Sequence, residues 1–152
     1  MLFLYIHRKS LAMKDLTEKK LLEKNTNPTS MRILVYDFLE QHQTAVSLNE
    51  IENYFDKADR ITIYRTLKTF EEKGIVHGIQ ENNTTKYMLC HDGCSENTHK
   101  DRHLHFYCKV CKQTTCKEDF LITENKTQGY RIDEIRFFAK GICENCLRED
   151  LQ

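Results

Sequence analysis

HLHFYCKVCKQTTC, residues 103–116, is the stretch on which the reading of this chain turns. It holds His103, His105, Cys108, Cys111 and Cys116 within a short span. A second pair, Cys143 and Cys146, follows in CENC, and residues 112–142 separate the two CxxC pairs. Each CxxC turn offers two sulfurs to one ion, at about 2.3 Å for zinc. A lone CxxC leaves redox chemistry or free thiols open. Two matched pairs in one small domain point to a structural zinc on Cys108, Cys111, Cys143 and Cys146. The C-terminal half then reads as a fold closed around that ion.

Working outward, residues 91–102 (HDGCSENTHKDR) are polar and mark a hinge loop between two domains. His103 to Tyr107 reads as a strand, with Thr114 to Lys117 as its hairpin partner beyond the knuckle. Residues 118–129 are polar with room for a short helix. Tyr130 to Ile142 alternates as one or two strands through Ile132, Ile135 and Phe137. In the hinge loop, His91, Cys94 and His99 are candidates for an accessory metal site, with solvated loop side chains as the simpler reading.

Before the hinge, residues 14–90 carry helices and then a hairpin. Lys14 to Lys24 reads as a basic-leaning helix with Leu16, Leu21 and Leu22 as its apolar side. Pro28 punctuates the chain, and Thr29 or Ser30 caps the next helix. In that helix Met31, Leu34, Val35, Phe38 and Leu39 fall at amphipathic spacing. Ser47 and Glu50 form a capping box for a third helix, whose buried side is Leu48, Ile51, Tyr54 and Phe55. Asp59 caps a fourth, about Arg60 to Lys73, with Ile63, Leu67 and Phe70 inward. Thr62, Arg65, Thr66 and Thr69 are expected on its other face. From Arg60 to Phe70 there are basic residues and no acid. Such a face either contacts bases and phosphates in a major groove or is simply solvated. Ile75 to Gln80 and Lys86 to Cys90 then flank the polar turn ENNTT as a hairpin. Helices followed by a hairpin give the winged form of the helix-turn-helix.

Composition bounds the rest. The 152 residues carry a formal net charge of zero, so global charge points to no nucleic-acid or membrane partner. Seven Cys, with no convincing secretory signal, favour reduced thiols and a cytoplasmic location over a disulfide framework. Met1 to Ile6 is apolar but too short to span a bilayer. Residues 1–13 read as a disordered tail or an over-extended gene start, since Met13 opens the more ordinary MKDLTEKKLL. Catalysis finds no support. A zinc deaminase needs H-x-E and P-C-x-x-C, and neither CxxC follows a Pro. A zinc hydrolase needs a nearby general base that the His103 strand does not supply.

ITIYRTLKTFEEKGIV (61–76), HLHFYCKVC (103–111) and GICENC (141–146) together resemble the ferric uptake regulator superfamily, over roughly residues 14–147. The resemblance implies an α+β chain: an N-terminal winged helix-turn-helix domain, then a small α/β dimerisation domain with a four-cysteine zinc site. It implies a homodimeric, metal-responsive repressor of metal-uptake genes that binds a palindromic double-stranded DNA operator and takes no small-molecule substrate. By position, His103 and His105 match sensory ligands, and Cys116 stands where iron-type members carry an acid. His77 and Cys90 match sensory ligands of the zinc-uptake branch. Two family features are missing: Arg102 and Leu104 replace an additional His and Asp, and Thr44, Ala45 and Val46 replace an early histidine. A donor set of His77, Cys90, His103, His105 and Cys116 is soft and suits Zn²⁺ better than Fe²⁺ or Mn²⁺. Three of these also have a structural alternative: a core thiol for Cys116, a polar wing residue for His77, a core-facing strand histidine for His105. The expectation is one structural and one regulatory zinc per subunit, with Fe²⁺ as the alternative regulatory ion. On DNA, Tyr64 and Arg65 are expected at the groove, Thr62 at bases, and Arg60 and Lys68 at phosphates. Lys14, Lys19 and Lys20 are expected at the backbone or minor groove. An iron or peroxide sensor on the same fold, and a zinc-ribbon protein adaptor, are the competing functions.

Overall fold

The computed structural model describes residues 14–55, 58–81, 83–90, 103–117, 120, 128–131 and 136–149. The chain divides into two units, Met1–His99 and Lys100–Gln152.

The first unit starts with helix α1, residues 14–23. Thr29 caps α2, Ser30–Gln41, by accepting from the Arg32 amide. α2 is buried on two sides. Val35, Phe38 and Leu39 enter the core, while Ile33, on the opposite side of the helix, is buried as well. There α1 lies against α2: Thr17 Oγ1 donates to Asp37 at 2.6 Å, and Lys20 pairs with Glu40 and sits over the Tyr36 ring. Of the leucines expected to form the apolar side of α1, Leu21 is buried, and Leu16 and Leu22 are exposed. Leu34, expected inward, is exposed instead, because it falls at the edge between the two buried faces of α2.

A two-residue strand, β1 (Val46–Ser47), leads into α3, Leu48–Tyr54. The expected capping box is present: the Glu50 amide donates to Ser47 Oγ, and Glu50 accepts from the Ser47 amide at 2.7 Å. Ile51 is fully buried, but Tyr54, expected inward, is exposed and stacks on Phe38 and Phe55 from outside. Helix α4, Arg60–Glu72, is capped by Asp59, which accepts from the amide and hydroxyl of Thr62, each at 2.8 Å. Ile63, Leu67 and Phe70 are completely buried. Thr66, expected on the outer face, is buried as well, one turn from Ile63 and Phe70 on the same side of the helix. Gly74 ends the helix with φ +63°, a conformation costly for a side chain with Cβ, and the Ile75 amide then reaches back to the Phe70 carbonyl.

β2 (Val76–Glu81) and β3 (Thr84–Leu89) form an antiparallel hairpin, with β1 on the far side of β3. The first strand keeps its expected length but sits one residue later, the second starts two residues earlier than expected, and the turn is tighter: Glu81 pairs with Thr84, so only residues 82–83 lie between them. Asn83 takes φ +64°, which Asn tolerates at such turns.

The second unit holds a three-stranded sheet in the order β5-β4-β6. β4 is Leu104–Cys108, β5 Thr114–Lys117 and β6 Phe138–Gly141. β5 runs antiparallel to β4 and β6 parallel to it. A short helix, α5 (Glu144–Glu149), follows the last CxxC turn. The expectations for residues 1–13, for the hinge loop with His91, Cys94 and His99, and for Ile132 and Ile135 fall outside the described residues, as does most of 118–129.

Candidate metal centres and nucleic-acid interface

The quartet is built by backbone geometry at the end of β4. The Cys108 amide donates to the Gln113 carbonyl, the Lys112 amide to the Cys108 carbonyl, and Lys112 turns the chain with φ +62°. The Lys109 amide donates to the Gly141 carbonyl at 2.8 Å, which brings the second CxxC alongside the first. Gly141 packs against the Phe106 ring; a Cβ there would lie 3.2 Å from two ring carbons. The four sulfurs lie within 4.8 Å of one another. Cys108 and Cys146 are 3.9 Å apart, as are Cys111 and Cys143. A disulfide would need about 2.05 Å. A tetrahedron with bonds of about 2.3 Å has edges of about 3.8 Å, so the spacing fits one zinc ion.

The charge balance of the four thiols also favours a cation. Burial opposes ionisation of Cys108, but hydrogen bonds from the amides of Cys143, Cys111 and Val110 bring its pKa down to about 6. The Cys143 amide is 3.3 Å from that sulfur. Cys146, held by its hydrogen bond with Cys143 and by burial, is pushed up to about 12. Cys111 also lies above its ordinary value; amide bonding from Gln113 lowers it, and burial and the neighbouring thiols Cys108 and Cys143 outweigh that. Without an ion one thiolate is favoured and the next is opposed. A coordinated cation removes that opposition.

A second donor set follows from strand register in the same unit. His103 and His105 are two residues apart, so they share a face. Cys116 on β5 is the direct cross-strand partner of His105. Cross-strand partners share a face with Cβ atoms about 5 Å apart. The donor atoms of His103, His105 and Cys116 accordingly lie within 4.8 Å of one another. The two imidazoles meet edge to face at 4.8 Å, with Nε2 of each shielded from solvent.

The first unit has its own pair. His77 on β2 is buried rather than a solvated wing side chain. The Cys90 amide extends the hairpin by donating to the Ile75 carbonyl, which sets Cys90 diagonally across from His77. Cys90 Sγ lies 3.6 Å from His77 Nδ1. A thiol and an imidazole at that distance can together offer two ligands to one soft metal ion.

The basic side chains expected at DNA are placed as follows. Tyr64 and Arg65 are exposed on α4, with Thr62 beside them tied to Asp59. Arg60 is engaged by Glu52 and by Asn49 Oδ1 at 2.7 Å. Lys68 pairs with Glu71 at 2.6 Å and lies over Tyr64. In α1, Lys19 is exposed, Lys14 sits 3.9 Å from Glu18, and Lys20 is held by Glu40. Exposed pairs of this kind contribute only about 0–1 kcal/mol, so a phosphate can compete for the same cations. One exposed residue of α4 was not anticipated: Ile61, one turn before Tyr64. Its i, i+3 relation to Tyr64 is the signal that was available.

The profile of the ferric uptake regulator family matches residues 23–140, most of the chain. The chain belongs to the ferric uptake regulator family. It is therefore a metal-responsive regulator by membership. No single curated protein matches it by sequence. Solved structures of the family share its fold. A zinc uptake regulator complexed with zinc and DNA superposes with a TM-score of 0.66 at 19% identity, covering 93% of this chain and 97% of that one. The holo form of XcZur gives 0.64 at 17% identity, covering 90% and 98%. The Vibrio cholerae ferric uptake regulator gives 0.56 at 16%, covering 83% and 98%. Among the described residues, no helix is long and apolar enough to cross a membrane.

Proposed function

We propose that the chain is a zinc-responsive repressor of metal-uptake genes that binds a palindromic DNA operator as a homodimer. The observation that carries this reading is the thiol in each donor group: Cys116 beside His103 and His105, and Cys90 beside His77. Imidazole with thiolate suits Zn²⁺, whereas Fe²⁺ and Mn²⁺ favour harder, carboxylate-rich sites. In this reading Cys108, Cys111, Cys143 and Cys146 hold a permanent structural zinc. His77, Cys90, His103, His105 and Cys116 supply the ligands of a regulatory zinc. A regulatory zinc, when bound, would supply coordination energy to the arrangement in which its donors converge.

The protein's own part is to turn that convergence into DNA affinity. The first unit acts as a winged helix-turn-helix, with α4 as recognition helix and β2–β3 as wing. Tyr64 and Arg65 face the groove and Thr62 helps read bases. Arg60 and Lys68 exchange their carboxylate partners for phosphates. Lys14, Lys19 and Lys20 reach the backbone or minor groove. In a two-fold dimer the spacing of the two α4 helices selects half-sites about one helical turn, or a multiple of it, apart.

The test is a gel shift on DNA upstream of this gene and its neighbours, run anaerobically with Zn²⁺, Fe²⁺ or Mn²⁺. Zinc should produce the shift at the lowest free concentration. A shift driven by iron and indifferent to zinc would replace this reading with an iron sensor. No shift under any metal would favour a protein-binding adaptor. Arg65→Ala should weaken the zinc-dependent complex by about 1–3 kcal/mol if the guanidinium grips a guanine; unchanged affinity removes Arg65 from the groove.

A further inference from the structure

α4 presents to solvent an aliphatic side chain that the core does not use. Ile61 is the second residue of the helix and is 58% exposed; Tyr64, one turn on, is 45% exposed. The neighbouring Ile63, with Leu67 and Phe70, supplies the buried face. A single exposed isoleucine is ordinary on a protein surface. This one is set apart by its surroundings. No acid occurs from Arg60 to Phe70. Asp59, the acid just before, is committed to the amide and hydroxyl of Thr62 and so fixes the first turn. A β-branched side chain in a helix has little χ1 freedom, so the Ile61 Cγ2 methyl is held at a defined place. Tyr64 and Arg65 follow three and four residues on, which puts them on the same face.

The first turn of a helix seated in the major groove is the part that meets base edges. The apolar feature of those edges is the C5-methyl group of thymine. Resting on the DNA-binding reading above, we infer that Ile61 is a specificity-determining residue that packs on a thymine methyl at one position of each half-site. Arg65 on the same face supplies the hydrogen-bonding part of the readout, and Ile61 the apolar part.

The experiment uses the full-length, zinc-loaded protein to select duplexes from a random-sequence library; the enriched duplex is the probe. Each thymine is then replaced in turn by deoxyuridine, which keeps every hydrogen-bonding group and loses only the methyl. Wild type should lose about fourfold in affinity at one thymine position per half-site, the size of one buried methyl-sized group. Ile61→Ala should bind the thymine and uracil duplexes equally, and Ile61→Val should restore the preference for thymine. A uracil penalty as large in Ile61→Ala as in wild type assigns the methyl contact to another side chain and overturns the inference. So does a selected duplex with no methyl-sensitive position. If wild type enriches no sequence at all, the DNA-binding reading itself fails and takes this inference with it.

Discussion

The two units of this chain hold themselves together by different means. In the first, Leu21, Val35, Ile51, Ile63, Leu67, Phe70 and Val76 are completely buried in one apolar cluster. In the second, the buried residues among those described are Tyr107, Cys108, Thr114 and Cys146, while Val110, Phe120, Tyr130, Phe138 and Leu147 are exposed. The first unit has the apolar area to fold by burial. The second has a sheet of short strands and four converging sulfurs. From the described residues its stability is expected to depend on whatever joins the sulfurs, as a unit of that size usually needs such a staple.

The sharpest way to break this contrast is to remove whatever ion the four sulfurs hold. Chelation, or Cys108→Ser, should unfold the sheet β5-β4-β6 of the second unit and leave the first unit folded, because structural zinc contributes about 10–16 kcal/mol of apparent binding energy in small domains. Hydrogen exchange read by mass spectrometry checks it; continued protection of β4 and β5 without metal would refute it. The converse substitution, Phe70→Ala, should cost the first unit about 3–5 kcal/mol by emptying its core, with zinc content unchanged. Denaturant unfolding followed by zinc analysis tests both halves of that statement.

Smaller effects sharpen the same comparison. Gly141→Ala should cost the second unit about 1–3 kcal/mol, since the new methyl must displace the Phe106 ring beside the second knuckle. Faster zinc loss to a chelator is the readout, and an unchanged rate would show that Phe106 yields freely. Ser47→Ala should cost the first unit about 1 kcal/mol through the lost cap. It should also flatten the acid limb of that unit's stability. Burial opposes the Glu50 charge, but the hydrogen bonds from Ser47 outweigh it and hold the carboxyl below its usual range. A lowered folded-state value means stability present at neutral pH and lost as pH falls through that lowered value. Urea midpoints measured at neutral pH and down through the carboxylate range, for wild type and Ser47→Ala, check the sign.

Much of this was legible in the sequence because the signals were local. The Ser47–Glu50 box, the Asp59 cap, Gly74 and the two CxxC turns each act within a few residues. Register was nearly as accessible: the alternation of His103, His105 and Tyr107 puts both imidazoles on one side of a strand. What was missed depended on distant partners. Leu34 and Thr66 fall on unexpected sides because α2 is buried on two faces and α4 has a wide one. Two-residue β1 exists only through its pairing with Tyr87 and Lys86 of β3. Helix α5 is six residues long and has no apolar period, since Leu147 is exposed and Cys146 is buried by the quartet. The thiol–imidazole contact between Cys90 and His77 needed the hairpin register, which a two-residue turn fixes and the longer polar run ENNTT concealed.

The pairing of His105 with Cys116 has a consequence for how this chain can change. Side chains alternate along a strand, so moving β5 by one position would carry Cys116 to the reverse of the sheet and bring Thr115 or Lys117 across from the imidazole. Cys111 anchors the near end of that segment. The count of residues from Cys111 to Cys116 is thus constrained in parity: gaining or losing one disables the donor set, whereas gaining or losing two preserves which way the sulfur points.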